Sequence, residues 1–273
     1  MAGWLAAWWQ GSVEPALAAF FTPEPVLLQR HYEGAAGFET FGPDHLAVLA
    51  LVALMDFLVV RHYLRLPAGL GRGEPRHRVL LAITATPVAL LASRDVVLAA
   101  EGLLSPIFWP LHICNWCEYL GILWTLTLSD HVADVYFPWA CVGGIGALLL
   151  PGWGYCPMWT YASLGGFVEH GLMVASCVCM VAGGDYLPDA RRLWKPALVG
   201  ATAGLLFRAA NPVWDTNFFF VTQPLGGTPF ELAANVCGNP GFLVPYLGCC
   251  ALLWWGFVLL GRRACLRARR SRG

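Results

Sequence analysis

The sequence predicts an all-α fold, a polytopic membrane helix bundle of about seven transmembrane helices, and three observations carry that expectation. Hydrophobic residues make up 58% of the 273 and charged residues 12%, against roughly 25% charged in soluble domains. Apolar runs of about 20 residues, the length of one membrane crossing, recur along the chain. The basic residues between the runs fall into clusters that seven crossings place on one side.

The first run is the weakest. Trp4 to Phe21 is rich in Trp, Ala and Phe but is interrupted by Gln10, Gly11 and Pro15. It is expected to be an interfacial helix with Trp4, Trp8 and Trp9 at headgroup level. Met1 to Val13 lacks the basic start and the cleavage site of a signal peptide. Spans are then expected over Asp44 to Tyr63, Val79 to Ala100, Ile107 to Leu128, Val135 to Leu150, Trp159 to Ala182, Leu193 to Trp214 and Gly241 to Gly261. The chain thus divides into an N-terminal interfacial segment (1–42), a transmembrane domain (43–262) and a basic cytoplasmic tail (263–273), with no internal repeat.

Orientation follows from Lys and Arg. Arg61, Arg65, Arg72, Arg76 and Arg78 flank the first loop, Arg191, Arg192 and Lys195 follow the fifth span, and Arg262 to Arg272 hold the last cluster. Basic residues accumulate in cytoplasmic loops, which puts the N-terminus outside and the C-terminus in the cytoplasm. The formal net charge is zero and no basic stripe stands apart from the spans, so nucleic acid is not an expected partner. Membrane lipids are.

Polar groups inside apolar runs need a reason, because hydrocarbon cannot solvate them. Pro110 to Tyr119 concentrates them. On a helix, Leu111, Cys114, Asn115 and Glu118 share one stripe, while His112 lies roughly 160° from Cys114. Arg94 and Asp95 fall near the outer end of the second span. Gly204, Arg208, Asn211 and Asp215 share a stripe on the sixth, which could turn a cation toward the acids of the third. Glu169 and His170 sit near the middle of the fifth span. These groups are either packing pairs or the wall of a site.

Three chemistries fit. In the first, Cys114 is a nucleophile activated by His170, with Asn115 holding an oxyanion. In the second, Cys114-Asn115-Trp116-Cys117 is a Cys-x-x-Cys pair served by Cys156 and Cys237 in a thiol oxidoreductase. In the third, the same groups line a non-catalytic binding or transport path, with Pro87 and Pro212 as helix breaks. His45, His112 and His170 show no tight metal-ligand spacing, and no metal or cofactor is expected.

Several segments resemble a known family. Pro110-Leu111-His112-Ile113-Cys114-Asn115, Glu169-His170, Thr216-Asn217-Phe218-Phe219-Phe220, Pro224 to Pro229 and Gly238-Asn239-Pro240 are similar to signature segments of the YwaF-like membrane proteins, which include transmembrane protein 164. Gly42-Pro43-Asp44-His45 also fits, and the similarity runs from about His45 to Leu260. The resemblance implies a polytopic protein of a cell membrane, with the bacterial inner membrane the expected location. Its vertebrate branch implies acyl transfer onto lysophospholipids by a third-span cysteine and a fifth-span histidine. That histidine corresponds to His170, and the histidine beside the nucleophile to His112. The nucleophile position itself holds Leu111, and Cys114 lies about one turn, roughly 4.5 Å, along the same stripe. The implied site is then Cys114, His170 and His112, with Asn115, Glu118, Glu169, Arg208, Asn211 and Asn217 around the substrate.

Overall fold

A computed structural model describes residues 12–271. Ten α-helices follow in order: α1 (Glu14–Phe20), α2 (Glu24–Tyr32), α3 (Pro43–Arg65), α4 (Pro75–Ala100), α5 (Ile113–Thr127), α6 (Asp130–Leu149), α7 (Tyr161–Ala182), α8 (Trp194–Trp214), α9 (Pro229–Cys237) and α10 (Leu243–Arg270). There is no strand among the described residues. Proline near the start of α1, α2, α3, α4 and α9 fixes φ where an amide hydrogen is not needed. Pro87 and Pro212 lie inside continuous helices and break neither. Trp4, Trp8 and Trp9 lie outside the described residues.

Among the described residues five helices, α3, α4, α6, α7 and α10, are long and apolar enough to cross a membrane. This is a multi-pass membrane protein. The expected third crossing, Ile107 to Leu128, is shorter in the structure: α5 has 15 residues, about 22 Å of helix against a hydrocarbon core near 30 Å. The preceding stretch is a short 3-10 turn and loop. The last span continues as helix through Arg270, so most of the basic cluster is helical.

Helix α7 is the centre of the bundle, packed against α3, α4, α6 and α10. Gly171 lets α3 come close, since a Cβ there would stand 2.5 Å from Val52 Cγ1. At one end of the bundle the three basic clusters meet. Arg76 pairs with Asp185 at 3.1 Å, with both side chains almost fully buried, and Tyr63 Oη donates to the same carboxylate at 2.7 Å. Asp134 gathers Lys195, Arg192 and the Tyr186 hydroxyl. Arg262 and Arg269 of α10 donate to the carbonyls of Pro188 and Gly184. These bonds tie α3, α4, α6, α7, α8 and α10 together at the end away from the site.

Candidate functional site

The opposite end holds a cavity of about 1350 Å³. Its walls come from α4, α5, α6, α7 and α10, and it is bordered by α2, the 151–158 loop and the segment between α8 and α9. The lining is mostly apolar. Its lining includes Arg94, His112, Cys114, Asn115, Glu169 and His170. The structure therefore brings the expected catalytic trio to one cavity.

His170 is the best-fixed of the three. It is 4% exposed, and its Nδ1 lies 2.6 Å from the Gly166 carbonyl oxygen one turn earlier. A carbonyl only accepts, so in the neutral ring Nδ1 carries the hydrogen and Nε2 keeps the lone pair. The Trp153 indole stacks on the ring at 5.1 Å, with 26° between the planes. Trp153 can reach that position because position 166 has no side chain: a Cβ there would come within 2.9 Å of the indole. A histidine ring held on one edge and one face has a fixed orientation.

Cys114 lines the same cavity, partly buried. No hydrogen bond joins its thiol to a ring nitrogen of His112 or His170 among the described residues. An activated thiol requires such a base within reach, and the proposed Cys-His pair is not formed. His112 also departs from expectation. It is the residue before α5, with extended backbone (φ −66°, ψ 156°), and its N–H donates to Asn115 Oδ1 at 3.2 Å. Its position is thus not set by the helical 100° rule, and it shares the cavity with Cys114 although a continuous helix would have put them on opposite faces. The His112 ring packs edge-on against Phe218 at 4.9 Å. Leu111 precedes the helix, so Cys114 does not sit one helical turn beyond it, and Leu111 is not part of the cavity wall.

Charge gathers beside these groups. Arg94 pairs with Asp95 at 2.8 Å and with Glu24 of α2 at 3.6 Å, and donates to the Phe108 carbonyl at 3.0 Å. Glu118 is 2% exposed, and neither of its oxygens makes a hydrogen bond of good geometry. Glu169 faces the cavity and lies within electrostatic reach of Arg94 and Glu118. In the loop above, the Tyr155 hydroxyl donates to Glu24, and burial, followed by that carboxylate, pushes the phenol pKa up.

The sixth-span residues do other work. Arg208 donates to the Val221 and Thr222 carbonyls and to Asn239 Oδ1, not to the acids of α5. Asn211 is fully buried; it donates to the Phe218 carbonyl and Thr222 Oγ1 and accepts from Thr216 Oγ1 and the Phe218 N–H. Asn217 likewise braces the turn, accepting from the Thr222 and Gln223 amides, but it also lines the cavity. Together they hold Phe219 and Phe220 at positive φ, 59° and 53°. His45 is a structural pin: its two nitrogens meet the Phe41 N–H and the Leu148 carbonyl.

No disulfide joins any cysteines among the described residues. Cys156 is fully buried, and burial followed by Glu24 pushes its thiol pKa up, whereas thiol exchange needs a thiolate. Cys237 is exposed on α9. The second pair required by the redox chemistry is not assembled.

Sequence reasoning missed Trp153, Gly166, Glu24 and Tyr155. None lies in a periodic pattern that singles it out. The Asn three residues after His112 was the available sign that α5 begins there, as the far member of an N-terminal cap.

Comparison with curated proteins and with solved structures finds no match. A family model, that of the TMEM164 family, matches residues 40–259, which include α3 to α9 and most of α10. The chain belongs to the TMEM164 family, a family of membrane proteins.

Proposed function

We propose that this protein takes an acyl lipid into the cavity and transfers or hydrolyses its acyl group, with His170 as general base. The observation that carries the reading is the orientation of His170, fixed by Gly166 and Trp153, on the wall of a largely apolar cavity. In this scheme Nε2 takes the proton from a hydroxyl, of water or of a lysophospholipid, as its oxygen bonds to the ester carbonyl carbon. Collapse of the adduct breaks the ester C–O bond, and the imidazolium returns the proton to the departing oxygen. The Asn115 amide lines the same cavity and donates to the oxyanion. Cys114 is not required for this route.

The gathering of the basic clusters at the far end supports a cytoplasmic C-terminus, with the cavity beneath the opposite face. A second reading is lipid binding without chemistry, which the mostly apolar lining of the cavity also suits. Phospholipid and lysophospholipid profiles of cells carrying the wild type or His170→Ala separate the two. The acyl reading expects the profiles to differ, and matching profiles would leave only binding.

A further inference from the structure

The charges on and behind the cavity wall do not balance. Arg94 is the one Lys or Arg among the residues lining the cavity, and it is already paired with Asp95 and Glu24. Glu169 on the wall makes no hydrogen bond or ion pair. Glu118 is 2% exposed, neither of its oxygens makes a hydrogen bond of good geometry, the Asn115 side chain is its polar neighbour, and it lies within electrostatic reach of Arg94, Asp95 and Glu169. Four carboxyl groups thus share one guanidinium, in surroundings that cannot solvate the excess.

We infer that the part of the cavity bordered by Glu169, Glu24 and Arg94, with Glu118 behind it, is a binding site for an ammonium group, carried by an amphiphile whose hydrocarbon chain fills the cavity. Glu169 and Glu24 supply the direct contacts, and Glu118 supplies field from behind the wall. Trp153, Tyr155 and Tyr161 line the same cavity, and aromatic rings attract a cation placed over a face. A metal ion does not fit: among the described residues no three His, Cys, Asp or Glu side chains are grouped to hold one. An anionic head group meets no free cation on the wall. The ammonium can belong to a phosphate-free long-chain amine or to the head group of a zwitterionic lipid, and the chemistry of the recess is the same for both.

The inference rests on the cavity and not on the acyl chemistry, so it can fail while His170 proves catalytic, and the reverse. The test is amphiphile binding to the purified full chain in uncharged maltoside micelles, measured by native mass spectrometry. Sphinganine and lysophosphatidylethanolamine are compared with octadecanol and octadecanoic acid. At least one amine should bind about tenfold or more tighter than the alcohol and the acid. Tight binding by sphinganine shows that no phosphate is needed, and tight binding by the lysolipid alone assigns the ammonium to a lipid head group. Glu169→Gln and Glu118→Gln should each reduce the preference several-fold. If Glu118→Gln does not fold, Glu169→Gln, whose side chain borders the open cavity, decides alone. Equal binding of octadecanol, or an undiminished preference in folded Glu169→Gln, overturns the inference.

Discussion

His170 Nδ1 and the Gly166 carbonyl oxygen stand 2.6 Å apart within α7. That single bond decides which imidazole nitrogen is a base, because the carbonyl can only accept. It also links two functions of position 166: its carbonyl orients His170, and its lack of a side chain admits the Trp153 ring that stacks on the histidine.

Gly166→Ala should therefore damage the site more than the fold. The added methyl would come 2.9 Å from the indole, and overpacking of this kind costs about 1 to 3 kcal/mol. Thermal unfolding in detergent should show a modest loss. Any acyl-transfer activity should drop by about tenfold or more, since misplacing a catalytic group by about 1 Å costs up to 100-fold.

Arg76 and Asp185 form the buried ion pair at the far end of the bundle, with side chains 3% and 5% exposed. Removing one partner leaves a buried charge, so Arg76→Ala should destabilise the protein by about 3 to 5 kcal/mol. Removing both charges, in Arg76→Met with Asp185→Leu, should recover part of the loss. Denaturant or thermal unfolding of the two variants and the wild type checks this, and the cavity end should keep its ligand binding in any that fold.

Asn211→Ala tests whether this residue is structural. It would leave the Phe218 amide and carbonyl without their side-chain partner, at about 1 to 3 kcal/mol for each buried group left unpaired. Proteolysis of the segment between α8 and α9 should accelerate accordingly. Arg208→Lys should produce a milder version, because the contacts to the Val221, Thr222 and Asn239 oxygens all come from Nη1, a point donor that an ammonium with three hydrogens partly replaces.

Thiol accessibility should separate the two loop cysteines. Cys237 is exposed, while Cys156 is fully buried and kept protonated by burial and Glu24. A maleimide reagent on the folded protein should modify Cys237 at least about tenfold faster than Cys156, because the thiolate is the reactive form. Mass spectrometry of the digested protein reads the order.

Much of this fold was legible because membrane helices announce themselves by length and apolar content. The expected Asp44 to Tyr63 is observed as Pro43–Arg65, and the expected Trp159 to Ala182 as Tyr161–Ala182. The third span was not readable in this way. Hydropathy runs on through Ile107 to His112, but Pro106, Pro110 and the cap at His112 hold that stretch out of the helix. The site was legible in its members, since Cys114, Asn115, Glu118, Glu169 and His170 stand out as polar groups in apolar runs. Its connections were not. Whether Arg208 turns to the acids of α5 or to the loop after α8 depends on how that loop folds back, and a helical stripe carries no record of it. The same holds for Trp153, whose importance comes from stacking on a residue 17 positions later in the chain.

The central claim is that His170 is the base and that Cys114 is dispensable. The direct measurement is turnover by purified protein of a phospholipid with a labelled acyl chain, in the presence of a lysophospholipid acceptor. His170→Ala should lose at least about 100-fold, the lower end of what a general base supplies, while Cys114→Ala retains most of the wild-type rate. A wild type that moves no acyl chain, a His170→Ala rate equal to wild type, or an acyl group trapped on Cys114 would contradict it.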